Sequence, residues 1–390
     1  MPDNKPKIKY FAKTAFLLLF LIFFVLAGNG CLPKTGQQEY ISIGALFPLT
    51  GEFAEEGIRA VNGLLIANAE INAEGGILGK QLDIFILNDK GDEDYVFQQY
   101  EVLKEKGVVA VIGSSYSNVA IALAIASEKD GIPIISPTAS NPYLTKGRNN
   151  VFRSIFTDEE QSEVMAKFAY NSLNAKTAVI LYNKNNTAFK QLAETFINSF
   201  TANGGQIIAE PYSTVNDFAD ILNKYASVPP DIFYCPENFI PAAKLVNAAH
   251  EAGLNDTPIL GSDAWDGFLS YVNQPDVMSE VYYTSPFSFN DNDPAVERFV
   301  RKYFASFAKM PLAGSATAYT CVYILVEAIK KAESTNMEDI ISAISENELD
   351  SIIGRIKYDE NNNPNTNMYI FRIKGGIYST CEKLNTQRRE

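Results

Sequence analysis

The chain has 390 residues and a formal net charge of -13, with 46% hydrophobic and 20% charged residues. This length exceeds what one small hydrophobic core serves, so we expect two domains or lobes. The acidic balance argues against a nucleic-acid partner, because phosphate recognition needs clustered Lys and Arg. A single His in the chain puts the usual zinc sites out of reach, and neither a GxGxxG nor a Walker pattern is present, so we predict neither a metal nor a cofactor.

A targeting segment stands at the N-terminus. A basic stretch precedes an apolar core at 15–27, which is too short for a comfortable membrane span, and small residues then lead to Cys31. The pattern resembles a bacterial lipoprotein signal, although Gly28 stands where a Leu is usual. We therefore expect removal of residues 1–30, lipid on Cys31 and a membrane-anchored chain in the cell envelope. The alternative is an uncleaved signal anchor, which also places the chain outside the cytoplasmic membrane.

Three further cysteines follow, Cys235, Cys321 and Cys381. An odd number allows at most one disulfide within the chain. The sequence leaves open whether Cys235 pairs with Cys381.

Short apolar strands alternate with amphipathic helices from residue 40 onward. The first run predicts strands at 40–47, 81–89, 108–113 and 131–136, with a helix over 57–76. The second run predicts strands at 177–183, 205–212, 230–235 and 257–262, with a helix over 239–255. Such alternation indicates parallel sheets with helices on both faces. Two runs predict an α/β protein with two doubly wound lobes.

The C-terminal part departs from this alternation. A strand is predicted at 281–287, followed by helices at 294–308, 315–332 and 336–346. Segment 354–376 then reads as two strands around an Asn-rich turn.

A cluster of hydroxyl side chains separates an apolar strand at 108–112 from an apolar helix. The segment Gly-Ser-Ser-Tyr-Ser occupies 113–117. Either a serine simply caps the helix, or the helix N-terminus and its hydroxyls bind an anion. We assign capping to Ser114 or Ser115.

Ordered motifs along the chain resemble a known family. They are IGALFPLTGEFAEEG, NAEINAEGGILGKQLDIFILNDKGD, VVAVIGSSYS, IPIISPTASNPYLT, VFRSIFTDEEQ, ILGSDAW and IGRIKYDENNN. Together they are similar to type I periplasmic binding proteins of the branched-chain amino-acid kind, the solute receptors of ATP-driven (ABC) importers. The resemblance covers roughly residues 40–375.

The resemblance implies a two-lobed fold that closes on a ligand in the cleft. Three crossover strands would join the lobes, near 154–158, 284–287 and 357–360. Lobe 1 would comprise 39–156 with 287–357, and lobe 2 would comprise 157–286 with 358–385.

The resemblance also implies roles for the residues at the carboxyl ends of the strands. Ser117, beside Tyr116, occupies the position that grips the ligand's α-carboxylate. Thr138 and Ser140 match positions that supply a backbone carbonyl and a backbone N–H with a hydroxyl. A local turn of Ser, Asn and Pro would explain the composition around Thr138 and Ser140 equally well.

Asp263 matches the acidic position that receives the ligand's ammonium group. A carboxylate is required there, because an unpaired ammonium in a closed cleft loses several kcal/mol of hydration, as an order of magnitude. The alternative is an ordinary loop aspartate. Trp265, the one tryptophan of the chain, either walls the pocket or packs beneath this loop.

Three positions bear on the ligand's side chain. Glu56 stands where an aromatic residue often lines the pocket, Ala188 or Phe189 replaces a second aromatic, and Phe239 keeps a third. A glutamate facing the ligand would suit a polar or cationic group better than a leucine. The default alternative is a solvated Glu56 in the first turn of a helix.

The function predicted is that of an extracytoplasmic solute-binding lipoprotein of an ABC importer, for an amino acid that is branched-chain or of another kind. The importer's membrane subunits would be its protein partner. The alternative is a receptor for an amide, a urea-like compound or a small carboxylate that serves a sensor or regulator. An enzyme is not predicted. A triad of Ser117, His250 and Asp263 can be drawn, but His250 is explained by its place at a helix C-terminus, and no GxSxG elbow is present.

Overall fold

The computed structural model describes residues 39–385, and residues from Ile41 onward form one compact unit. The predictions for residues 1–30 and Cys31 lie outside the described residues. Over the described range, no helix combines the length and apolarity that crossing a bilayer requires.

The first half of the chain builds a sheet flanked by helices. Its strands β1–β5 are Tyr40–Phe47, Gln81–Asn88, Val111–Gly113, Ile134–Ser136 and Val151–Arg153. Its helices α1–α3 are Ala54–Ala73, Glu93–Glu105 and Ser117–Ser127. The strands lie in the order β2-β1-β3-β4-β5, and the pairs β1–β3, β3–β4 and β4–β5 are parallel.

The second run repeats this construction. Its strands β6–β10 are Thr177–Asn183, Gln206–Tyr212, Ile232–Tyr234, Ile259–Leu260 and Val281–Ser285. Its helices α4–α7 are Asp158–Asn171, Thr187–Ala202, Phe218–Asn223 and Phe239–Glu251. Helix α4 begins with a capping box: the Thr157 hydroxyl accepts from Glu160 N at 3.3 Å, and Thr157 N donates to Glu160 Oε2 at 2.7 Å. The box fixes Asp158 at the first helical position.

The C-terminal elements divide between the two lobes. Helices α8–α10 are Pro294–Phe307, Ala313–Ala332 and Met337–Ser345, and strands β11–β14 are Glu348–Ser351, Gly354–Lys357, Asn367–Lys374 and Ile377–Asn385. Strands β11 and β12 form a separate two-stranded sheet. Strands β13 and β14 extend the second sheet, whose order is β14-β13-β10-β9-β8-β6-β7. The pairs β10–β13 and β13–β14 are antiparallel, and the other pairs of this sheet are parallel.

Helices α8–α10 return to the first lobe. Phe299, Val322 and Ile340 share a buried core with Leu64 of α1. Helices α1 and α9 approach so closely at Gly63 that a Cβ there would lie 2.0 Å from the carbonyl oxygen of Ser315. Only a residue without a side chain permits this packing.

The two-lobed α/β fold and its mainly parallel sheets were predicted from the sequence and are confirmed. The two strands predicted within 354–376 are present as β12 and β13, but they do not pair with each other. Strand β12 pairs with β11, while β13 pairs with β10 and with the unpredicted β14. The Asn-rich segment is not a hairpin turn, because its side chains bind elsewhere: Asn362 Nδ2 donates to Arg148 O at 2.9 Å, and Asn363 Oδ1 accepts from Thr145 at 3.2 Å.

The three cysteines of the described range are free thiols. Cys235 and Cys321 are buried and Cys381 is exposed, so the pairing that the sequence left open between Cys235 and Cys381 does not occur.

Candidate functional site

A cavity of about 580 Å³ lies where the carboxyl ends of the two sheets face each other. In the first sheet, the segments that follow β1, β3 and β4 line it; in the second, those that follow β6, β8, β9 and β10 do. The strand order reverses between β1 and β3 in one sheet and between β6 and β8 in the other. Open α/β sheets bind ligands at such switch points, and the volume is within the usual range of about 300–1,000 Å³ for small-molecule sites.

Seven of the eight ligand-binding residues predicted from the sequence line this cavity: Glu56, Tyr116, Ser117, Thr138, Ser140, Phe239 and Asp263. Ala188 and Phe189, which replace an aromatic position, line it as well.

Trp265 does not reach the cavity. Its side chain is fully buried, packs against Phe268 at a ring distance of 5.2 Å, and donates from Nε1 to Cys235 O at 3.0 Å. Trp265 therefore packs beneath the loop and does not form a wall of the pocket. The correction follows from the short helical turn Asp263–Trp265, which directs Asp263 to the cavity and Trp265 to the core.

One wall of the cavity is the N-terminus of helix α3. Ser117 is its first residue, and the first intrahelical bond runs from Ala120 N to Tyr116 O at 2.8 Å. The amides of 117–119 therefore have no partner within the helix, and the macrodipole adds a partial positive charge. The Ser117 hydroxyl accepts from Asn141 N at 3.3 Å. This wall has the donors that an anion requires.

The assignment of Ser114 or Ser115 to helix capping was wrong. The residue at the N-cap is Tyr116, whose side chain makes no capping bond. Ser114 instead donates to Asp89 Oδ2 at 2.5 Å beneath the loop. The Ser115 hydroxyl makes no hydrogen bond within the described part of the chain, although Ser115 lines the cavity. Both serines precede the N-cap position, so neither hydroxyl is placed to satisfy the first turn.

Thr138 and Ser140 tie the loop after β4 to its neighbours. The Thr138 hydroxyl donates to Ser115 O at 2.9 Å. Ser140 accepts from Asp158 N at 3.0 Å through its carbonyl, and its hydroxyl bonds to the Asp158 carboxylate. Their side chains hold the wall together, while both residues still border the cavity.

The opposite wall carries Asp263. Its carboxylate accepts from Gln161 Nε2 at 2.8 Å, and its backbone N donates to Gln161 Oε1 at 3.0 Å. Removal from bulk water, together with the charge of Asp158, raises the pKa of Asp263 to about 7. A ligand ammonium beside it would reverse that shift, because an opposite charge favours the ionised carboxylate.

Glu56 lies in the first turn of α1 but is not a solvated surface residue. Its side chain lines the cavity, and Tyr116 donates its hydroxyl to Glu56 Oε2. Burial raises the pKa of Glu56 to about 7. The default expectation of a solvated Glu56 is therefore wrong, because α1 starts at the cavity edge and its first turn faces inward.

Sequence reasoning missed three charged residues of the cavity, Arg59, Asp158 and Asp266. Arg59 forms an ion pair with Glu55, Nη2 to Oε1 at 2.7 Å, and its charge also acts on Asp266. Asp266 accepts from Ala313 N at 2.7 Å, which joins the segment after β9 to helix α9 of the other lobe. Spacing was the available signal: Arg59 stands three residues after Glu56, and Asp266 three after Asp263.

The catalytic triad that can be drawn from the sequence is not assembled. His250 is half-buried in the last turn of α7, where Nδ1 lies 2.9 Å from Asn255 Oδ1. Phe239, which begins this helix, borders the cavity, so His250 lies about 16 Å further along the helix axis.

Comparisons with known proteins agree with this geometry. A family model described as periplasmic binding protein matches residues 40–377. A Leu/Ile/Val-binding protein, BraC3 of Rhizobium johnstonii, is 29% identical over 337 residues, which span 82% of this chain and 88% of that protein.

Solved structures of substrate-binding proteins also resemble this chain. The branched-chain amino-acid transporter substrate-binding protein LivJ of Streptococcus pneumoniae, in complex with isoleucine, superposes with a TM-score of 0.83 at 27% identity, covering 89% of this chain and 100% of that one. The leucine-binding protein LivK of Thermotoga maritima superposes with a TM-score of 0.81 at 26% identity, covering 89% and 99% of the two chains.

Proposed function

This chain belongs to the periplasmic binding protein family, and from that premise we propose that it is the extracytoplasmic solute receptor of an ABC importer, with an amino acid as its ligand. One observation carries the proposal. The cavity has a helix N-terminus and hydroxyls on one wall and the Asp263 carboxylate on the other. These are the two complements of a zwitterion.

Each end of the ligand has its own residues in this proposal. The α-carboxylate is received by Ser117 and the amides at the start of α3, next to Tyr116, with Thr138 and Ser140 shaping the same wall. The α-ammonium is received by Asp263, and Phe239 flanks the side chain. Trp265 supports the loop from below and makes no ligand contact.

The two lobes comprise 39–156 with 287–357 and 157–286 with 358–385, joined near 154–158, 284–287 and 357–360. The separate cores support this division, since Leu64 and Val322 share one cluster, and Val246 and Phe371 another. Ligand bound between the lobes stabilises the closed form by its higher affinity for that form. No chemical step is part of this function.

Anchoring follows from the N-terminal segment: residues 1–30 are removed and Cys31 carries lipid. The closed form then docks on the importer's membrane subunits. Capture of those subunits by the chain, with and without ligand, tests the partner. Equal capture in both conditions would count against docking of the closed form.

A thermal-shift screen of the standard amino acids and related amides tests the ligand class. A ligand at one hundred times its Kd stabilises the folded state by about 2.7 kcal/mol, so a true ligand raises the melting temperature measurably. A positive result confined to amides or to carboxylates without an amino group would replace the amino acid by that class.

A further inference from the structure

The cavity holds more carboxyl groups than a neutral zwitterion balances once these groups are ionised. Four carboxylates line it, those of Glu56, Asp158, Asp263 and Asp266, against one guanidinium, that of Arg59. A zwitterionic amino acid brings one ammonium and one carboxylate, and the carboxylate is held by α3. The other charges must be compensated by the protein or by the ligand's side chain.

Three of the four carboxylates have a positively charged residue acting on them, which is Arg153 for Asp158 and Arg59 for both Asp266 and Glu56. Arg59 acts on Asp266, which also accepts from the Ala313 amide at 2.7 Å. Arg153 acts on Asp158, which also accepts from Gln161 Nε2 at 3.2 Å. The ligand's α-ammonium accounts for Asp263. Glu56 is left, because it shares the charge of Arg59 with Asp266.

Glu56 has a hydrogen-bond donor but no ion-pair partner. Tyr116 donates to Oε2, and Oε1 has no hydrogen-bond partner among the described residues. No Lys or Arg nitrogen within 39–385 lies within 4 Å of this carboxylate; Arg59, one turn further along α1, pairs with Glu55 at 2.7 Å instead. A carboxylate so placed gains most from a cation that enters with the ligand.

Aromatic rings line the same cavity as Glu56. Phe53 packs on Tyr116 with ring centres 4.5 Å apart, and Phe189 and Phe239 line the cavity from the other lobe. Aromatic faces suit both the methylene stem and the charged end of a long basic side chain.

We propose that the ligand is an amino acid whose side chain ends in a second cationic group, an ammonium or a guanidinium, which binds the Glu56 carboxylate. The proposal rests on the amino-acid receptor function above and specifies its substrate class. It distinguishes this chain from the relatives whose names give leucine, isoleucine and valine as ligands.

Calorimetric titration of the protein with matched ligand pairs tests it. Lysine is compared with norleucine, and arginine with citrulline, since each pair differs mainly in the terminal charge. We expect the cationic member to bind more tightly by about tenfold or more. Equal binding within a pair, or preference for the neutral member, overturns the proposal.

The variant Glu56→Gln keeps the side-chain shape and removes the charge. We expect it to weaken binding of the preferred cationic ligand by about ten- to a hundredfold and to leave norleucine unchanged. Glu52→Gln is the matched control, because Glu52 is exposed in the same segment and does not line the cavity. Unchanged binding of the cationic ligand by Glu56→Gln overturns the proposal, and if that variant does not fold, the wild-type ligand pairs decide.

The outcomes separate this proposal from the general function. If leucine, isoleucine or valine binds and the basic amino acids do not, the receptor function stands and the cationic ligand class is wrong. If no amino acid gives heat, the amino-acid receptor function itself fails.

Discussion

Gln161 and Asp263 hold each other through two hydrogen bonds on the ligand-facing wall of the cavity. Gln161 Nε2 donates to the Asp263 carboxylate at 2.8 Å, and Gln161 Oε1 accepts from Asp263 N at 3.0 Å. Oε1 accepts a further bond from the Thr284 hydroxyl at 2.7 Å. The amide of Gln161 is therefore fixed in one orientation, and it fixes the carboxylate that we assign to the ligand's ammonium.

The first prediction concerns this pair. Gln161→Ala leaves Asp263 in place but frees its orientation. A hydrogen bond to a charged group contributes about 1.5–3 kcal/mol, so we expect the Kd for the ligand to rise by about ten- to a hundredfold in calorimetry. Gln98→Ala, at an exposed position, is the control and should leave the Kd unchanged. A Gln161→Ala protein that melts normally and binds normally would refute the positioning role.

The second prediction is a pH dependence of folding. Burial and the charge of Asp158 raise the pKa of Asp263 to about 7 from an ordinary value of 3.8, and Glu56 faces the same cavity with a pKa of about 7. Between about pH 4 and about pH 7, these two carboxyl groups are protonated in the folded state and ionised in the unfolded state. The free energy of unfolding of the unliganded protein should therefore fall as the pH rises from about 4 to about 7. Denaturant titrations across this range check it, and Asp263→Asn should flatten the slope.

The third prediction applies the same pKa shift to binding. An ammonium pairs with an ionised carboxylate, so binding below pH 7 must expel the proton of Asp263. We expect the Kd to rise by about tenfold for each pH unit below about 7, for each carboxylate that must ionise. Calorimetry in two buffers of different ionisation enthalpy measures the released protons. A Kd that is the same on both sides of pH 7, with no proton release, would be inconsistent with these pKa values.

The fourth prediction separates two serines that lie three residues apart. Ser117 borders the cavity, whereas Ser114 is fully buried and donates to Asp89. Ser117→Ala should weaken ligand binding by about tenfold or more, with little change in melting temperature. Ser114→Ala should lower the free energy of unfolding by about 1–3 kcal/mol and leave the Kd nearly unchanged. If Ser114→Ala weakened ligand binding and Ser117→Ala did not, the assignment of the anion contact to Ser117 would be wrong.

The fifth prediction uses the only tryptophan as a probe. Trp265 is fully buried, with Nε1 bonded to Cys235 O, so its fluorescence should resist quenching by acrylamide even without ligand. Trp265→Phe loses this bond and leaves a void. We expect a loss of about 1–3 kcal/mol in the free energy of unfolding, measured by denaturant titration. Strong quenching in the unliganded protein would mean that the indole lies in the cavity.

The fold was largely predictable because its strands are strongly marked. Strand β1 spans Tyr40–Phe47 and strand β6 spans Thr177–Asn183, as the apolar runs predicted. The pairing of the C-terminal strands was not predictable. Only one turn-rich segment separates β12 from β13, yet the two strands belong to different sheets. Local turn composition predicts a hairpin there, and only tertiary packing decides otherwise.

The place of the site was predictable, because ligands of open α/β sheets bind beyond the carboxyl ends of the strands. The family resemblance then assigned Ser117, Thr138 and Asp263 to it, and all three line the cavity. Residues that act through others were not found. Gln161 lies one turn into α4, and nothing in its local sequence distinguishes it from a surface helix residue. Arg59 lies in the second turn of α1, and its spacing from Glu56 was the one signal that the sequence offered. Glu56 was identified, but only the structure shows that its side chain faces the cavity and bonds to Tyr116.

The most direct test of an amino acid held between the two walls is calorimetric titration of the wild-type protein, Asp263→Ala and the exposed control Asp256→Ala with the amino acid that the screen selects. We predict saturable binding of one ligand per chain for the wild type and the control. For Asp263→Ala we predict a Kd weaker by more than about thirtyfold, because removing one partner of a buried charge pair costs about 2–5 kcal/mol. Binding by Asp263→Ala with wild-type affinity would contradict the account.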